Sequence, residues 1–343
     1  MSQTNNKCIA LEYIMKDTKV KKKVSISQHN LDVAKSQSAM EYLMTYGWAI
    51  LLLAVTLITL YELGFLNGTS FSPRVQAGAC EVFRPYGKGS TYDINLAGLC
   101  NGELPDYVLF SRGVGDYVQV YDSNMSKSDL NIVGNQITIT AWVFVNGYPL
   151  HDIVDKEDQY GMKLDYNNQP HQCSPSNSLG LCLEWDTAEA SNPGDWVGYS
   201  FPIPGASFDK WMFLAVSLNG TEKYWYANGQ EIGNQIVSNS LTYISSNLTI
   251  GAVSTGYAAL TYGNAEWFNG SIANVQIYNT SIGSSDIAAL YNEGIGGAPI
   301  DLYNLVGWWP LNGNENDYSG NLNNGFVYND VYSGTWINNY QIP

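Results

Sequence analysis

The chain has 343 residues, and its 31 acidic residues against 16 basic ones give a formal net charge of −15. This acidity argues against a nucleic-acid partner, because binding to phosphates requires basic surface patches. The 25 Tyr and ten Trp residues, together with 33 Gly residues, are typical of an extracellular, β-rich protein.

Residues 1–36 form a basic leader without sustained apolar periodicity. They contain seven Lys residues against three acidic ones, which leaves nine basic and 28 acidic residues in the rest of the chain, a net charge near −19. Lysine-rich flanks of an apolar segment stay on the cytoplasmic side of a membrane. We therefore expect a cytoplasmic leader and a C-terminal bulk that lies outside the cell.

An apolar stretch at residues 37–66 predicts one long hydrophobic α-helix. Residues 48–61 carry no charge, and the weaker apolar flanks extend the stretch to a length that crosses a bilayer. A helix satisfies its own backbone hydrogen bonds in lipid. We expect a single-pass protein of the cell membrane and extracellular surface, with its N-terminus in the cytoplasm before processing.

The residues directly before this stretch carry a processing-like signal. KSQSAME at residues 35–41 resembles the class III signal peptide of archaeal type IV pilin-like proteins, although Ser36 replaces the usual Gly or Ala. The resemblance implies that a prepilin-type peptidase cuts between Ser36 and Gln37. It also implies that Glu41 pairs with the N-terminal amine of a like subunit, because a carboxylate at the edge of an apolar helix needs a cation or water. An uncleaved signal anchor is the alternative.

Residues 67–79 are predicted to be a linker, and residues 80–343 an ectodomain with four cysteines. This even set shows no metal-ligand spacing and is typical of disulfides formed outside the cell. Three pairings are possible, and proximity in sequence favours Cys80 with Cys100 and Cys173 with Cys182. Each bridge would contribute about 3 kcal/mol by restricting the unfolded chain.

From residue 80 onward the apolar residues alternate with the period of two that predicts β-strands. The clearest strand is 136–145, with Ile137 and four further apolar residues on one face and Trp142 on the other. Residues 211–216 and 223–227 are predicted to form a hairpin across Asn219-Gly220, and Asn228-Gly229 to make a second turn, because Asn-Gly pairs are strong turn signals. One short helix is expected, capped by Ser284 or Ser285 and ended by Gly294.

The order of these segments resembles a LamG-like, concanavalin A-like jelly roll between about residues 105 and 295. The matching segments are 116–120, 137–142, 211–216 with 226–229, and 268–278 followed by the helix. The resemblance implies an all-β jelly-roll sandwich preceded by the long hydrophobic helix. LVGWWPL at 305–311 resembles the opening strand of such domains but comes last. We expect a permuted sandwich completed by residues 305–343; donation of that strand to a neighbouring subunit is the alternative.

Catalytic candidates are few. EWDTAE at residues 184–189 matches E-x-D-x-x-E, in which Glu184, Asp186 and Glu189 are the carboxylates that some jelly-roll glycosidases place beside a sugar bond. In so acidic a chain a solvated strand end is the simpler interpretation. The sequence therefore predicts a binding protein and not an enzyme.

Binding candidates are of two kinds. Asp317, Ser319 and Asn321 supply oxygen ligands of the sort that Ca²⁺ takes, and related sandwiches hold an ion near such a loop. Four exposed-aromatic candidates could stack on sugars, although packing inside the sandwich is the favoured interpretation for each: Trp185, Trp196, Trp225 and Tyr257.

Six N-x-S/T sequons permit glycosylation on the expected outer side, at Asn67, Asn124, Asn219, Asn247, Asn269 and Asn279. Taken together, these patterns predict a pilin-like structural and adhesive surface subunit. Its helix would anchor the protein in the membrane and assemble like subunits into a filament. Its LamG-like domain would recognise a carbohydrate or a surface glycoprotein. A monomeric membrane-anchored lectin-like protein and an anchored glycoside hydrolase are the alternatives.

Overall fold

The computed structural model describes residues 44, 46–59, 79–88, 93–98, 100, 104–121, 129–147, 151–156, 159–166, 181–189, 192–237, 240–243, 245–253, 266–328 and 335–343. The chain divides into two compact units, Met1–Phe71 and Ser72–Pro343. In the first unit, residues 46–59 form an α-helix, α1.

The apolar side chains of α1 are exposed. Trp48 and Leu53 are each 61% exposed and Ile50 is 67% exposed. Within the described ranges, no helix has the length and apolar character that crossing a membrane requires. The residues of the expected cleavage and assembly signal, Ser36, Gln37 and Glu41, lie outside the described residues. The membrane span over 37–66 and the processing therefore stay predictions.

The second unit is a sandwich of antiparallel sheets. Its described elements, in chain order, are β1 Glu81–Phe83, β2 Asn95–Ala97, β3 Val108–Arg112, β4 Tyr117–Val120, β5 Gln136–Val145, β6 His151–Lys156, β7 Tyr160–Tyr166, β8 Leu181–Glu189, β9 Asn192–Pro202, β10 Trp211–Asn219, β11 Glu222–Ala227, β12 Gln230–Ile236, β13 Leu248–Ile250, β14 Asn269–Tyr278, α2 Ser284–Glu293, β15 Leu305–Trp309, β16 Gly325–Tyr328 and β17 Trp336–Ile337.

Two large sheets face each other across the main core. Among the described strands, one sheet has eight, in the order β12-β11-β10-β5-β14-β3-β17, with β15 also paired to β14. The other has seven, in the order β16-β4-β13-β6-β7-β8-β9. We call them the eight-stranded sheet and the seven-stranded sheet. A separate pair, β1 and β2, forms a small hairpin.

Strand β5 has the bounds that its alternation predicts, and both of its faces are buried. Its apolar positions from Ile137 to Val145 pack into the core between the two sheets. Trp142, on the opposite face, packs in a second core beneath α2, with its ring centroid 5.7 Å from that of Tyr291. Since α2 and the segment after it cover this side, the outer face of the eight-stranded sheet is largely occupied.

Helix α2 lies where its pattern predicts, and its end agrees with the sequence. Gly294, with φ of 84°, ends the helix in a conformation that favours glycine. The start differs from expectation, because Gly283 is the N-cap and no side chain caps the helix. Ile287 and Leu290 are buried against the second core, so packing of this face holds the helix without a serine cap.

The C-terminal segment completes both large sheets within the same chain. Strand β15 pairs with β14, β16 pairs with β4, and β17 pairs with β3, all antiparallel. The β1–β2 hairpin is joined to the sandwich by the Val82 N–H, which donates to the Tyr318 carbonyl at 2.7 Å.

A disulfide between Cys80 and Cys100 closes this hairpin, with 5.8 Å between the two Cα atoms. Cys182 is also disulfide-bonded. Its expected partner, Cys173, lies outside the described residues.

Candidate functional site

The outer face of the seven-stranded sheet carries exposed aromatic side chains at its β16 and β4 end. In β4, Val118 and Val120 point into the main core, so that Tyr117 points outward. In β16, Val327 packs against the same core, so that Phe326 and Tyr328 point outward. With Tyr121, which directly follows β4, these residues form a surface that we call the aromatic platform: Tyr117, Tyr121, Phe326 and Tyr328.

Contacts between neighbouring strands arrange the platform. Tyr328 lies directly opposite Tyr117 in the strand register, and their rings stack with centroids 4.9 Å apart and planes 7° apart. The Phe326 ring meets the Tyr328 ring edge-on at 5.2 Å. Phe326 is 54% exposed and Tyr121 is 52% exposed. The platform thus presents aromatic surface to solvent and holds it in place through ring packing.

Phenol hydroxyls lie within the same surface. The hydroxyl groups of Tyr121 and Tyr328 form a hydrogen bond with each other. This bond raises the pKa of Tyr328 to about 12, so its hydroxyl keeps its proton at neutral pH. A flat apolar surface edged with hydroxyls can pack against the C–H face of a sugar and hydrogen-bond to the sugar's hydroxyls.

A row of charged residues crosses strands β6 to β8 on the same outer face. Asp152 pairs in register with Lys163, and Lys163 pairs with Glu184. The Lys163 Nζ lies 2.9 Å from Asp186 Oδ2 and 3.7 Å from Glu184 Oε1. Glu184 is 1% exposed and Asp186 is 6% exposed. The expectation that these two residues form a solvated strand end is therefore wrong.

Burial sets the protonation of this row. It raises the pKa of Glu184 to about 9, helped by repulsion from Asp186 and only partly offset by Lys163. Burial also raises the pKa of Asp152, with Glu266 as the next cause. Burial alone would lower the pKa of Lys163, but the surrounding carboxylates outweigh it and raise that pKa. Glu184 therefore keeps its proton at neutral pH.

The chemistry of E-x-D-x-x-E needs an acid and a second carboxylate at a set distance. Glu184 is a protonated acid, but Asp186 is engaged by the Lys163 ammonium. The side chain of Glu189 lies outside the described residues. The described part of the row is a buried ion-pair cluster.

Packing inside the sandwich, the interpretation favoured from sequence, holds for two of the four aromatic candidates, and sugar stacking is excluded for them. Trp185 and Trp225 are fully buried between the sheets, with ring centroids 5.9 Å apart. They alternate with outward residues on their strands and so face the core. The Trp196 side chain and Tyr257 lie outside the described residues.

The residues proposed for Ca²⁺ come together, but the Asp317 carboxylate and the Asn321 Nδ2 group are engaged in hydrogen bonds within the loop and to β15. The Asp317 carboxylate accepts hydrogen bonds from the Trp308, Ser319 and Asn323 N–H groups, at 2.9–3.0 Å, and from the Ser319 hydroxyl at 2.8 Å. The Asn321 Nδ2 donates to the Leu305 and Val306 carbonyls.

Ca²⁺ takes six to eight oxygen ligands, whereas here both carboxylate oxygens already face N–H and O–H donors. Among the described residues, no three His, Cys, Asp or Glu side chains are grouped so that they could hold a metal ion. The three residues therefore do not fit Ca²⁺; they form a hydrogen-bonded clamp on the loop.

The sequons differ in accessibility. Asn219 and Asn279 are exposed, whereas Asn247 and Asn269 are half-buried. Asn67 and Asn124 lie outside the described residues. Of the four described sequon asparagines, Asn219 and Asn279 are sterically the easiest to glycosylate.

Sequence reasoning missed the aromatic platform. Its local signal is the alternation of aromatic residues with valine in YVQV at 117–120 and FVY at 326–328. The alternation places the aromatic side chains on one face of each strand. It does not show that β16 pairs with β4, from which it is separated by about 200 residues of chain, and only that pairing brings the two sets together.

A two-sheet antiparallel sandwich whose outer face bears aromatic side chains has the architecture of a lectin-like jelly roll. Residues 112–288 match the family described as the concanavalin A-like lectin/glucanases superfamily. The chain belongs to this superfamily. Strands β15 to β17 lie beyond the matched residues, yet they pair with strands inside them.

Several solved structures resemble this chain. A candidate carbohydrate binding protein from Bacteroides ovatus is 14% identical over 69% of this chain, with a TM-score of 0.46; the match spans 62% of that protein. A SAP-like pentraxin from Limulus polyphemus is 11% identical over 57% of this chain and 83% of its own, with a TM-score of 0.40. The CBM40 of a Ruminococcus gnavus IT-sialidase, bound to α2,3-sialyllactose, is 12% identical over 53% of this chain and 97% of its own, with a TM-score of 0.38. Among curated proteins, none matches.

Proposed function

We propose that the sandwich binds glycans through the aromatic platform. The observation that carries this proposal is the aromatic platform on one sheet face. Phe326 and Tyr121 are exposed there. The rings of Tyr117, Phe326 and Tyr328 pack on one another. Exposed apolar surface edged by polar groups marks interaction sites on soluble domains. Aromatic rings combine apolar contact area with few rotatable bonds, so binding orders little of the protein.

The outer face of the eight-stranded sheet is covered by α2, which favours the aromatic platform of the other sheet as the binding surface. Ile287 and Leu290 of α2 pack on the outer face of the eight-stranded sheet. At the β16 and β4 end of the seven-stranded sheet, Phe326 and Tyr121 stay exposed and accessible to a ligand. Membership of a superfamily that contains lectins supports the class of ligand.

We further propose that the domain binds its glycan without hydrolysing it. Lys163 holds Asp186 in an ion pair, and Glu184 is buried, so neither carboxyl group is presented to a ligand on the platform. If the domain hydrolysed glycans as E-x-D-x-x-E enzymes do, Glu184→Gln would abolish release of reducing ends. We expect no release from either the wild type or this variant, with binding unchanged.

We also propose that the N-terminal helix anchors the protein at the cell surface. The exposed apolar side chains of α1 support this role, because water is a poor environment for an apolar surface on all sides of a helix. In the full proposal a prepilin-type peptidase cuts between Ser36 and Gln37. Like subunits then assemble through the helix with the help of Glu41, and the sandwich is displayed outside.

Binding is tested on a glycan array with the full chain in detergent. The wild type should bind a subset of glycans, and Phe326→Ala should lose most of that signal. Tyr86 is 75% exposed in the β1–β2 hairpin and offers a control away from the platform. Tyr86→Ala should bind like the wild type; equal binding by Phe326→Ala would contradict the proposal.

Processing is tested separately by N-terminal sequencing of protein recovered from membranes and from sheared cell surfaces. A mature N-terminus at Gln37 in high-mass assemblies is the expected result. A monomer that retains Met1 would overturn the assembly part of the proposal and leave an anchored lectin-like protein.

A further inference from the structure

A cavity of about 500 Å³, lined by both polar and apolar side chains, shares no residue with the aromatic platform. This volume is within the range of sites for small molecules. The segment before β5, the turn after β14, the segment leading into β15 and the β1–β2 hairpin all contribute to it. Most of its polar lining comes from amide and charged side chains, and we call it the asparagine cavity: Arg84, Asp129, Asn279, Tyr303, Asn304 and Asn321.

Arg84 is held in place by backbone carbonyls. Its Nε donates to the Ser319 carbonyl at 2.9 Å, and its Nη2 donates to the Leu305 carbonyl at 2.8 Å and the Leu302 carbonyl at 3.3 Å. These bonds use Nε and Nη2, and no described residue accepts a hydrogen bond from Nη1, which is therefore available to a ligand. The disulfide-closed hairpin that carries Arg84 thereby supplies a fixed donor to the cavity.

Two amide side chains are fixed through their Nδ2 groups, and their oxygen atoms receive no hydrogen bond from the part of the chain that the structure describes. The Asn304 Nδ2 donates to Asp301 Oδ2 at 2.8 Å, and the Asn321 Nδ2 donates to the Leu305 and Val306 carbonyls at 3.0 Å. Asn279 is exposed at the rim, and its backbone N–H is bonded to the Asn304 carbonyl at 2.9 Å. Because the Asn304 and Asn321 side chains are already ordered, binding would cost little conformational entropy there.

The charges of the cavity balance one another. Arg84 faces the negative charges of Asp129 and Asp317, and Asp129 lies 3.4 Å from the Lys88 ammonium. Two side chains provide apolar surface at the opening: Tyr303, which is 61% exposed, and Val133, which is 62% exposed. A ligand that suits this lining is uncharged, has several hydroxyl groups and has one apolar face.

We propose that the asparagine cavity is a second glycan site, which binds one neutral sugar unit. Fixed amide oxygens accept from vicinal hydroxyls, Arg84 donates to a ring or hydroxyl oxygen, and Tyr303 packs against the C–H face. One sandwich then has two sites on different surfaces. Two sites allow a branched or surface-attached glycan to be held at both, which raises the overall affinity without new contacts.

The test measures binding of methyl glycosides of glucose, mannose and galactose to the full chain in detergent micelles. The protein is expressed in bacteria without N-glycans, so that Asn279 is unmodified. Isothermal titration compares the wild type with Tyr303→Ala and Asn279→Ala in the cavity and Phe326→Ala on the platform. Tyr303 and Asn279 are exposed, and unchanged thermal midpoints check that both variants fold.

We expect Phe326→Ala to keep one binding site for at least one glycoside. Adding Tyr303→Ala or Asn279→Ala to this variant should lower the affinity of that remaining site at least tenfold. The methyl glycoside of N-acetylneuraminic acid, which is anionic, should bind there at least tenfold more weakly than the best neutral glycoside. Cavity variants that bind like the wild type, or the absence of any site in Phe326→Ala, would overturn the proposal. If instead Tyr303→Ala removes all binding and Phe326→Ala removes none, the asparagine cavity is a glycan site and the aromatic platform is not.

Discussion

Asp317 shows how one buried residue can hold a loop that resembles a metal site in sequence. Its carboxylate collects three backbone N–H groups and one hydroxyl, joining β15 to the loop before β16. Burial raises its pKa in spite of these donors. The sequence revealed the polar cluster at 317–321, but whether its oxygens point at a cation or at N–H groups depends on the fold around it.

Removing this carboxylate should destabilise the sandwich. Asp317→Ala leaves buried donors without an acceptor, so we expect the free energy of unfolding to fall by about 3 kcal/mol. Denaturant unfolding of the full chain measures this change. Asp93, which is exposed, provides the control, since Asp93→Ala should change stability by less than about 0.5 kcal/mol. Calcium addition should stabilise neither the wild type nor Asp317→Ala. If calcium stabilised the wild type but not Asp317→Ala, the hydrogen-bonded clamp would be contradicted.

Glu184 should make stability depend on pH. Its folded pKa of about 9 lies above its ordinary value of 4.5, so the folded state keeps a proton that the unfolded state has lost. The stabilisation is complete below about pH 4.5 and is lost as the pH rises towards 9, at up to about 1.4 kcal/mol per pH unit. Unfolding of Glu184→Gln between pH 5 and pH 9 should show a flatter profile than the wild type.

Glu81 offers the matched control for this measurement, because it is exposed in β1. Glu81→Gln should keep the pH profile of the wild type. If Glu184→Gln and Glu81→Gln have the same slope, the buried carboxyl group does not carry the proton.

At the scale of elements, two glycines in hairpin turns allow the cost of backbone strain to be measured apart from the cost of a packing clash. Gly220 and Gly229 both have positive φ, 67° and 76°. A Cβ at Gly220 would meet open space, whereas one at Gly229 would lie 3.0 Å from the Cβ of Tyr291 on α2. The Asn-Gly pairs predicted both turns, because local turn chemistry is encoded locally.

Alanine at these two glycines should therefore have unequal costs. Gly220→Ala should cost about 1 kcal/mol for the left-handed backbone alone. Gly229→Ala should cost at least 1 kcal/mol more, since it also pushes α2 away from the hairpin. Thermal unfolding of the two variants gives the difference. Equal losses would mean that Tyr291 yields freely and that α2 is loosely packed.

Elements defined by local alternation were predictable, and those defined by distant pairing were not. Strand β5 has its predicted bounds, because an apolar residue stands at every second position from Ile137 to Val145. The burial of Trp185 and the exposure of Phe326 could not be separated from sequence, since each alternates with its neighbours equally well. Which face becomes core depends on the partner sheet, and that is set by contacts far apart in the chain.

At the scale of the whole molecule, the chain combines an apolar helical unit with a lectin-like sandwich completed by its own C-terminal strands. The period-two pattern and the segment order were enough to predict the fold class. The candidate sites were not predictable, because the platform and the asparagine cavity each combine segments separated by well over 100 residues. Surface anchoring and assembly follow from motifs in residues 35–66 and remain proposals.

The most direct test of the account is the affinity of the full chain for its best array glycan, measured by isothermal titration for platform variants. Phe326→Ala and Tyr328→Ala should each weaken binding at least tenfold, about 1.4 kcal/mol, while Tyr86→Ala keeps the wild-type affinity. Platform variants that fold normally and bind with unchanged affinity would contradict glycan recognition by this face.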